Sequence, residues 1–211
     1  MHRLQKGFFI TIEGIDFSGK SLQVQKLIDQ LERLDFSVQW FREPGGTPLS
    51  EKIREILLDH SYGEMQSVTE LLLYSAARAQ LVHEKILPLL REGNIVICDR
   101  FADSSTAYQG YGRNIPLDLV FKAHAIAVGN LKPALTFLLD IDPAEAFKRK
   151  AKGRRLDRLE SEKLEFYRRV REGYLKIAAQ EQDRVVVIDA MRAPDEIHQN
   201  IWSEIKKKLD I

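Results

Sequence analysis

The chain alternates between short runs of apolar residues and longer segments in which apolar residues recur every three or four positions. Each short run has the length of a β-strand and is apolar on both faces, which is typical of strands buried in a parallel sheet. The predicted strands cover residues 8–13, 36–41, 94–98, 134–139 and 184–188.

The longer segments have the periodicity of amphipathic helices, as when Val24, Leu27, Ile28 and Leu31 fall on one face. Strands that alternate with helices predict an α/β fold of three layers, in which a five-stranded parallel sheet is covered by helices on both faces. Ligands in such folds bind at the carboxyl ends of the strands. The predicted helices cover residues 20–34, 50–58, 68–90, 103–128, 144–152, 162–180 and 195–209.

Length, charge and cysteine content limit the classes of protein that fit. A chain of 211 residues without a flexible linker suits one domain, predicted over residues 1–211. The formal net charge of +1 argues against binding to nucleic acid or an anionic membrane through overall charge. The apolar run that ends at Ile12 is too short for a signal peptide or a membrane span. A single cysteine, Cys98, excludes an intrachain disulfide and fits the reducing cytoplasm.

A phosphate-binding loop follows the first predicted strand and opens the first predicted helix. Residues 14–21 match the pattern G-x-x-x-x-G-K-[ST], in which backbone N–H groups and the helix N-terminus bind phosphate. Lys20 is expected to reach the β- and γ-phosphates of ATP, and Ser21 to ligate Mg²⁺. A chance match in a turn is the alternative. The predicted nucleotide-binding residues of the loop are Gly14, Ile15, Asp16, Phe17, Ser18, Gly19, Lys20 and Ser21.

Asp99 and Arg100 follow the third predicted strand, at the same edge of the sheet. An acidic residue there suits the surroundings of Mg²⁺, and a guanidinium beside it suits an acceptor phosphate. A salt bridge at the end of a strand is the alternative. A polar patch follows, which helix capping would also explain: Ser104, Ser105, Tyr108 and Gln109.

Tyr74 and Arg78 lie four residues apart in a strongly helical segment and therefore share a face. A ring and a guanidinium so placed can stack on a planar base and donate to its carbonyl group. A helical aromatic residue is otherwise most often part of the core.

The densest positive stretch of the chain begins at Lys148 and belongs to a predicted lid over about residues 148–160. Phosphoryl transfer needs cations around the transferring group, and a basic segment that closes over ATP would supply them. A solvated charged helix end is the alternative. The arginines of this stretch are Arg149, Arg154, Arg155 and Arg158.

Several of these segments, in this order and over nearly the whole length, resemble the bacterial thymidylate kinases. The phosphate loop alone would indicate only a P-loop NTPase, whereas the Arg-Glu-Pro-Gly-Gly and Ala-Tyr-Gln-Gly segments are far more specific. The similar segments are residues 13–21, 42–47, 74–78, 99–110, 156–160 and 188–190. The resemblance implies phosphoryl transfer from ATP to thymidine monophosphate, with Mg²⁺, and a homodimer packed through helices such as those of residues 68–90 and 117–128.

The resemblance also implies roles for residues at the phosphate and the sugar. Asp16 would lie near the sugar 3′-hydroxyl and the Mg²⁺ shell. Arg42 and Pro44 would belong to the acceptor site, where Arg42 and Arg100 would hold the acceptor phosphate. Tyr108 would crowd the sugar 2′ position and so favour deoxyribose.

At the two bases, the resemblance implies that Tyr74 stacks on thymine and that Arg78 donates to its 4-oxo group. Ser105 and Gln109 would line the same pocket. Arg149 would pack on adenine, with the backbone near residues 189–190 on the other side.

The phosphate loop contains no arginine, so the chain resembles the subgroup that supplies the catalytic arginine from the lid. Arg154, Arg155 and Arg158 are the candidates, beside Asp16, Lys20 and Arg100 as the other catalytic residues. Phe17 departs from the family, which usually has a small residue there. Two rivals stay open: a P-loop kinase for another small molecule, and an ATP-dependent switch with little turnover.

Overall fold

The structure, a computed structural model, describes residues 4–149 and 156–211. Within these residues, five strands form one sheet in the order β2-β3-β1-β4-β5, and every neighbouring pair is parallel. The predicted five-stranded parallel sheet is therefore confirmed. The strands are β1 (Phe8–Glu13), β2 (Val38–Arg42), β3 (Ile95–Asp99), β4 (Leu135–Asp140) and β5 (Val185–Asp189).

Helices connect the strands and cover the sheet. Within the described residues, a short 3₁₀ turn at His60–Tyr62 lies between two predicted helices and was not predicted. No helix in the described part of the chain is long and apolar enough to cross a membrane. The helices are α1 (Lys20–Arg33), α2 (Pro48–Leu58), α3 (Ser67–Leu81), α4 (Leu87–Arg91), α5 (Ala102–Ser105), α6 (Leu117–Val128), α7 (Pro143–Lys148), α8 (Leu164–Gln180) and α9 (Pro194–Leu209).

The sheet is buried on both faces because neighbouring residues of each strand point into different cores. In β3, Ile95 and Ile97 belong to one apolar cluster, whereas Val96 and Cys98 belong to another. Buried residues of α1, α8 and α9 complete the first cluster, and residues of α3 and α6 complete the second. This is the arrangement that the uniformly apolar strands predict.

Two predicted long helices are interrupted by π-helical turns. Val82–Ile86 separates α3 from α4 and ends two residues before Pro88, which has no N–H and would clash with a carbonyl of the preceding turn of a regular α-helix. Thr106–Gly112 separates α5 from the loop before α6. A side chain at Gly112 would come within 2.7 Å of Phe166, so glycine permits the close approach of α8 here.

The carboxyl ends of the strands lie along one edge of the sheet. Asp99, the last residue of β3, pairs in register with Ile12 of β1 and with Arg42 of β2. The phosphate loop, the loop that begins at Arg42 and the turn after Asp99 therefore lie side by side. On the other half of the edge, Asp140 of β4 pairs with Asp189 of β5.

Candidate active site

The phosphate loop has the backbone that its glycines favour. Gly14 has φ of 139°, and a Cβ there would lie 2.6 Å from the Leu139 carbonyl oxygen of β4. Gly19 has φ of 97° and precedes α1, and no described side chain caps that helix. The first N–H groups of α1 are therefore available to an anion.

Phe17 adopts φ of 65° in the same loop, a left-handed conformation that disfavours a side chain. Its ring is half-buried and packs against the core below the loop. The structure thus combines a strained backbone with a packed ring at the position where the resemblance leads us to expect a small residue.

Lys20 and Ser21 face the turn after β3. The Lys20 ammonium donates to the carbonyl oxygens of Gly14 (3.2 Å) and Ile15 (2.9 Å). Burial and the nearby Arg100 lower the pKa of Lys20 to about 8. The Ser21 hydroxyl donates to Asp99 Oδ2 at 3.3 Å.

Mg²⁺ fits the oxygen atoms beside Ser21. Asp99 Oδ1 is buried and has no hydrogen-bond partner among the described residues. No group of three or more histidine, cysteine, aspartate or glutamate side chains that could hold a metal is found in residues 4–149 and 156–211. A hydroxyl and one carboxylate suit Mg²⁺, which keeps several waters as ligands and is also bound by oxygen atoms of the substrate phosphates.

Asp16 and Arg100 form an ion pair between the phosphate loop and the turn after β3. Arg100 Nη2 donates to Asp16 Oδ1 at 2.6 Å, and Arg100 Nη1 donates to the Gly14 carbonyl at 2.9 Å. Tyr108 donates to Asp16 Oδ2 at 3.1 Å. Burial opposes ionisation of Asp16, but Arg100 and Lys20 outweigh it and hold its pKa at about 2.

Arg100 itself has φ of 74°, a conformation that non-glycine residues adopt rarely and mainly where the surrounding structure demands it. Its guanidinium lies over the Tyr108 ring, with 4.9 Å between the guanidinium carbon and the ring centroid. Arg100 keeps 15% of its side chain exposed, so it can meet an anion in the cleft.

Three residues of this cluster were not predicted from the sequence. Tyr167 donates to Asp16 Oδ2 at 2.8 Å, and Tyr174 donates to Glu13 Oε2 at 2.9 Å. Glu13 also accepts from Ser104 at 2.6 Å. Because the two tyrosines lie seven residues apart in α8, their shared helix face was the available signal.

Three of the predicted base-pocket residues, Tyr74, Ser105 and Gln109, line a cleft beside this cluster. Tyr108, predicted at the sugar, and Pro44, predicted in the acceptor site, line it as well. Asp16 and Arg100, which were predicted separately as site residues, line the same cleft.

Arg78 lies behind the cleft rather than on its surface, with 1% of its side chain exposed. Arg78 Nε donates to Glu43 Oε2 at 2.6 Å, and Arg78 Nη2 donates to Ser105 Oγ at 3.0 Å. Arg78 Nη1 and Glu43 Oε1 are buried without a hydrogen-bond partner in the described chain. Buried polar atoms are nearly always paired, so an unpaired guanidinium nitrogen favours a ligand at this position.

The cations expected at the phosphates line a second cleft over Lys20. Arg42 and Arg149 both lie there, together with Arg54, which the sequence did not single out. Arg42 pairs with Glu51 at 3.1 Å. Arg149 donates to the Ala190 carbonyl at 2.8 Å, beside the loop that the resemblance assigns to adenine.

The structure does not place Arg158 among these cations. Arg158 is buried, donates to Glu70 Oε2 at 2.6 Å and to the Leu57 carbonyl at 2.8 Å, and is thereby tied to α2 and α3. A guanidinium held in this way is not free to reach a transferring phosphoryl group. Arg154 and Arg155, the other candidates, lie outside the described residues.

Comparison with known proteins bears on what this site does. A family model described as "Thymidylate kinase" matches residues 12–201. This chain belongs to the thymidylate kinase family. It is 48% identical to a thymidylate kinase of Pelotomaculum thermopropionicum, over 97% of this chain and 95% of that one. It is 45% identical to one of Deinococcus radiodurans, over 97% and 99% of the two chains.

Comparison of the fold with solved structures indicates the same family as the sequence comparisons. A crystal structure of thymidylate kinase from Ehrlichia chaffeensis superposes with a TM-score of 0.78 at 33% identity, and the match covers 95% of this chain and 99% of that one. The predicted P-loop NTPase-type fold and the predicted membership of the thymidylate kinase family are therefore confirmed.

Proposed function

We propose that this chain transfers the γ-phosphoryl group of ATP to the 5′-phosphate of thymidine monophosphate, giving thymidine diphosphate and ADP on the route to thymidine triphosphate. The observation that carries the proposal is the Asp16–Arg100 pair. It lies where the cleft over Lys20 meets the cleft beside Tyr74, and its residues line both. Donor and acceptor phosphates are thus expected to meet at one point.

On the donor side, the loop from Gly14 to Ser21 and the exposed N–H groups of α1 bind the phosphates of ATP. Lys20, whose ammonium is held at the loop by the Gly14 and Ile15 carbonyl oxygens, neutralises charge that develops on the transferring oxygens. Arg149 packs against adenine, a role that its bond to the Ala190 carbonyl supports.

On the acceptor side, Arg42 and Arg100 hold the phosphate of the nucleotide, and Tyr108 lies against the sugar. Tyr74 and Arg78 recognise the base. No general base is needed, because the acceptor phosphate is already anionic. Catalysis then depends on alignment of the two phosphates and on charge neutralisation.

Ser21 and Asp99 would hold Mg²⁺, with Asp16 nearby, and the ion would neutralise charge on the donor phosphates. The cation from the lid is assigned to Arg154 or Arg155, since Arg158 is engaged with Glu70.

The test is ADP release with ATP and Mg²⁺, measured with each deoxynucleoside monophosphate in turn. We expect strong stimulation by thymidine monophosphate and weak responses to the cytidine and purine nucleotides. Arg78→Met should remove that preference, and Arg168→Met, which breaks an exposed pair with Glu165, is the matched control. Stimulation by a different monophosphate would overturn the substrate. ATP binding without stimulation by any nucleotide would favour the switch.

We also propose that the enzyme is a cytoplasmic homodimer. Apolar side chains of α3 and α6 are exposed in the single chain, among them Leu72 (58%) and Ile126 (86%), and a second copy would cover such a surface. Sedimentation of the wild type and of Ile126→Glu tests this. A monomeric wild type would contradict it.

A further inference from the structure

Three residues at intervals of four lie along the face of α3 that borders the base cleft: Glu70, Tyr74 and Arg78. Opposite them, Ser105 and Gln109 lie four residues apart. Arg78 Nη2 donates to Ser105 Oγ at 3.0 Å, and Gln109 Nε2 donates to Glu70 Oε1 at 2.9 Å. The cleft beside Tyr74 is therefore backed by a cation at one end and an anion at the other.

Glu70 is fully buried and accepts from three side chains. Arg113 donates to both of its oxygens at 3.1 Å, and Arg158 donates to Oε2 at 2.6 Å. Burial opposes ionisation of Glu70, but the bonds from Arg113 and Gln109 and the charge of Arg158 outweigh it, so its pKa is lowered. The group is a carboxylate, which can only accept hydrogen bonds.

Because the Glu70 carboxylate can only accept hydrogen bonds, it determines the orientation of the Gln109 amide. The amino group of Gln109 must face Glu70, and the carbonyl oxygen is then the end of the amide left for a ligand in the cleft that Gln109 lines. Gln109 is 2% exposed and thus largely shielded from solvent, so Glu70 is the partner that sets the orientation of its amide.

We propose that Glu70 is a positioning residue for base specificity, which turns the Gln109 amide so that its carbonyl oxygen accepts from the base. The proposal rests on the proposed function. A 4-oxo pyrimidine offers a carbonyl oxygen and, beside it, an N–H donor. The unpaired Arg78 Nη1 matches the first and the Gln109 oxygen matches the second. A 4-amino pyrimidine presents a donor and a lone pair at these atoms, so both ends of the cleft reject it.

The experiment compares kcat/KM for the monophosphates of thymidine, deoxyuridine and deoxycytidine. In Glu70→Gln the new amide can donate or accept, and the orientation of Gln109 is no longer imposed. We expect the preference for thymidine over deoxycytidine monophosphate to fall about tenfold, mainly through KM for thymidine monophosphate. The preference for thymidine over deoxyuridine monophosphate should stay unchanged, since both bases carry the 4-oxo group. A general loss of structure would alter both ratios.

Three further variants separate positioning from folding. Arg113→Met removes a partner of Glu70 that makes no side-chain hydrogen bond to Gln109 in the described chain, and its base preference should match the wild type. Glu70→Asp keeps the negative charge between the arginines but withdraws it from Gln109, so it should lose preference even if Glu70→Gln does not fold. In Gln109→Leu, the additional change Glu70→Gln should cause no further loss of preference.

Some outcomes overturn the proposal. They are an unchanged thymidine to deoxycytidine ratio in folded Glu70→Gln or Glu70→Asp, and additive losses in the double variant. A wild type that does not phosphorylate thymidine monophosphate would instead refute the proposed function, so the two failures are distinguishable.

Discussion

Glu13 lies below Arg100 at the end of β1, and its burial makes the protein's stability depend on pH. Its carboxylate accepts from the Phe101 N–H at 2.7 Å, Ser104 Oγ at 2.6 Å and Tyr174 OH at 2.9 Å. Burial and the charge of Asp103 nevertheless raise the pKa of Glu13 from 4.5 to about 7. Between pH 4.5 and pH 7, Glu13 is therefore mostly ionised in the unfolded chain but mostly protonated in the folded protein.

The sign follows from this difference. A raised carboxyl pKa stabilises the fold at low pH, and that stabilisation is lost as pH rises through the folded pKa. From a pKa of about 7 in the folded protein and 4.5 in the unfolded chain, the contribution of Glu13 falls by about 2 kcal/mol between pH 5 and pH 8. In Glu13→Gln, position 13 carries no titratable group, so this pH-dependent contribution to stability is absent.

The assay is urea unfolding of the wild type and Glu13→Gln at pH 5 and pH 8, followed by circular dichroism. Between pH 5 and pH 8, the unfolding free energy of the wild type should fall by about 2 kcal/mol relative to that of Glu13→Gln. Groups that do not interact with Glu13 titrate equally in both proteins and cancel. A difference that is the same at both pH values would refute a raised pKa at Glu13.

Three other predictions follow from local geometry. At the left-handed φ of Phe17, Phe17→Gly should be more stable than Phe17→Ala by about 1 kcal/mol in thermal unfolding, and equal stabilities would argue against strain. Ser21→Ala should raise the Mg²⁺ concentration for half-maximal ADP release about tenfold, and an unchanged Mg²⁺ requirement would remove Ser21 from the metal site. Arg184→Met leaves the partly buried Asp103, with 14% of its side chain exposed, without this pair and should lower the unfolding free energy by about 2 kcal/mol, whereas a change near that of the exposed Arg168→Met would show that the pair contributes little.

Much of the fold was predictable because its signals are local. The apolar strands predicted a parallel sheet buried on both faces, and the position of Lys20 after a strand and at the start of a helix predicted the phosphate loop. The interruption of a long helix before Pro88 was also open to prediction, since proline cannot continue a regular helix. The π-helical turn that begins at Thr106 had no comparable sequence signal.

The site was predicted less completely because its members meet through tertiary structure. Tyr167 reaches Asp16 across 151 residues of chain; its helical spacing from Tyr174 indicates a shared face but does not identify Asp16 as the partner. Arg158 carried a positive charge in a basic stretch and was assigned to catalysis, but a buried Glu70 attracts it instead. Charge alone does not show which of several arginines finds a carboxylate in the folded protein.

The central claim is tested most directly by following the γ-phosphoryl group itself. ATP labelled at the γ-phosphate is incubated with Mg²⁺, thymidine monophosphate and the enzyme, and the nucleotides are separated by chromatography. Label should appear in thymidine diphosphate, and Lys20→Ala should slow its appearance by on the order of 100-fold or more. Label that stays in ATP, or appears only as inorganic phosphate, would contradict the account.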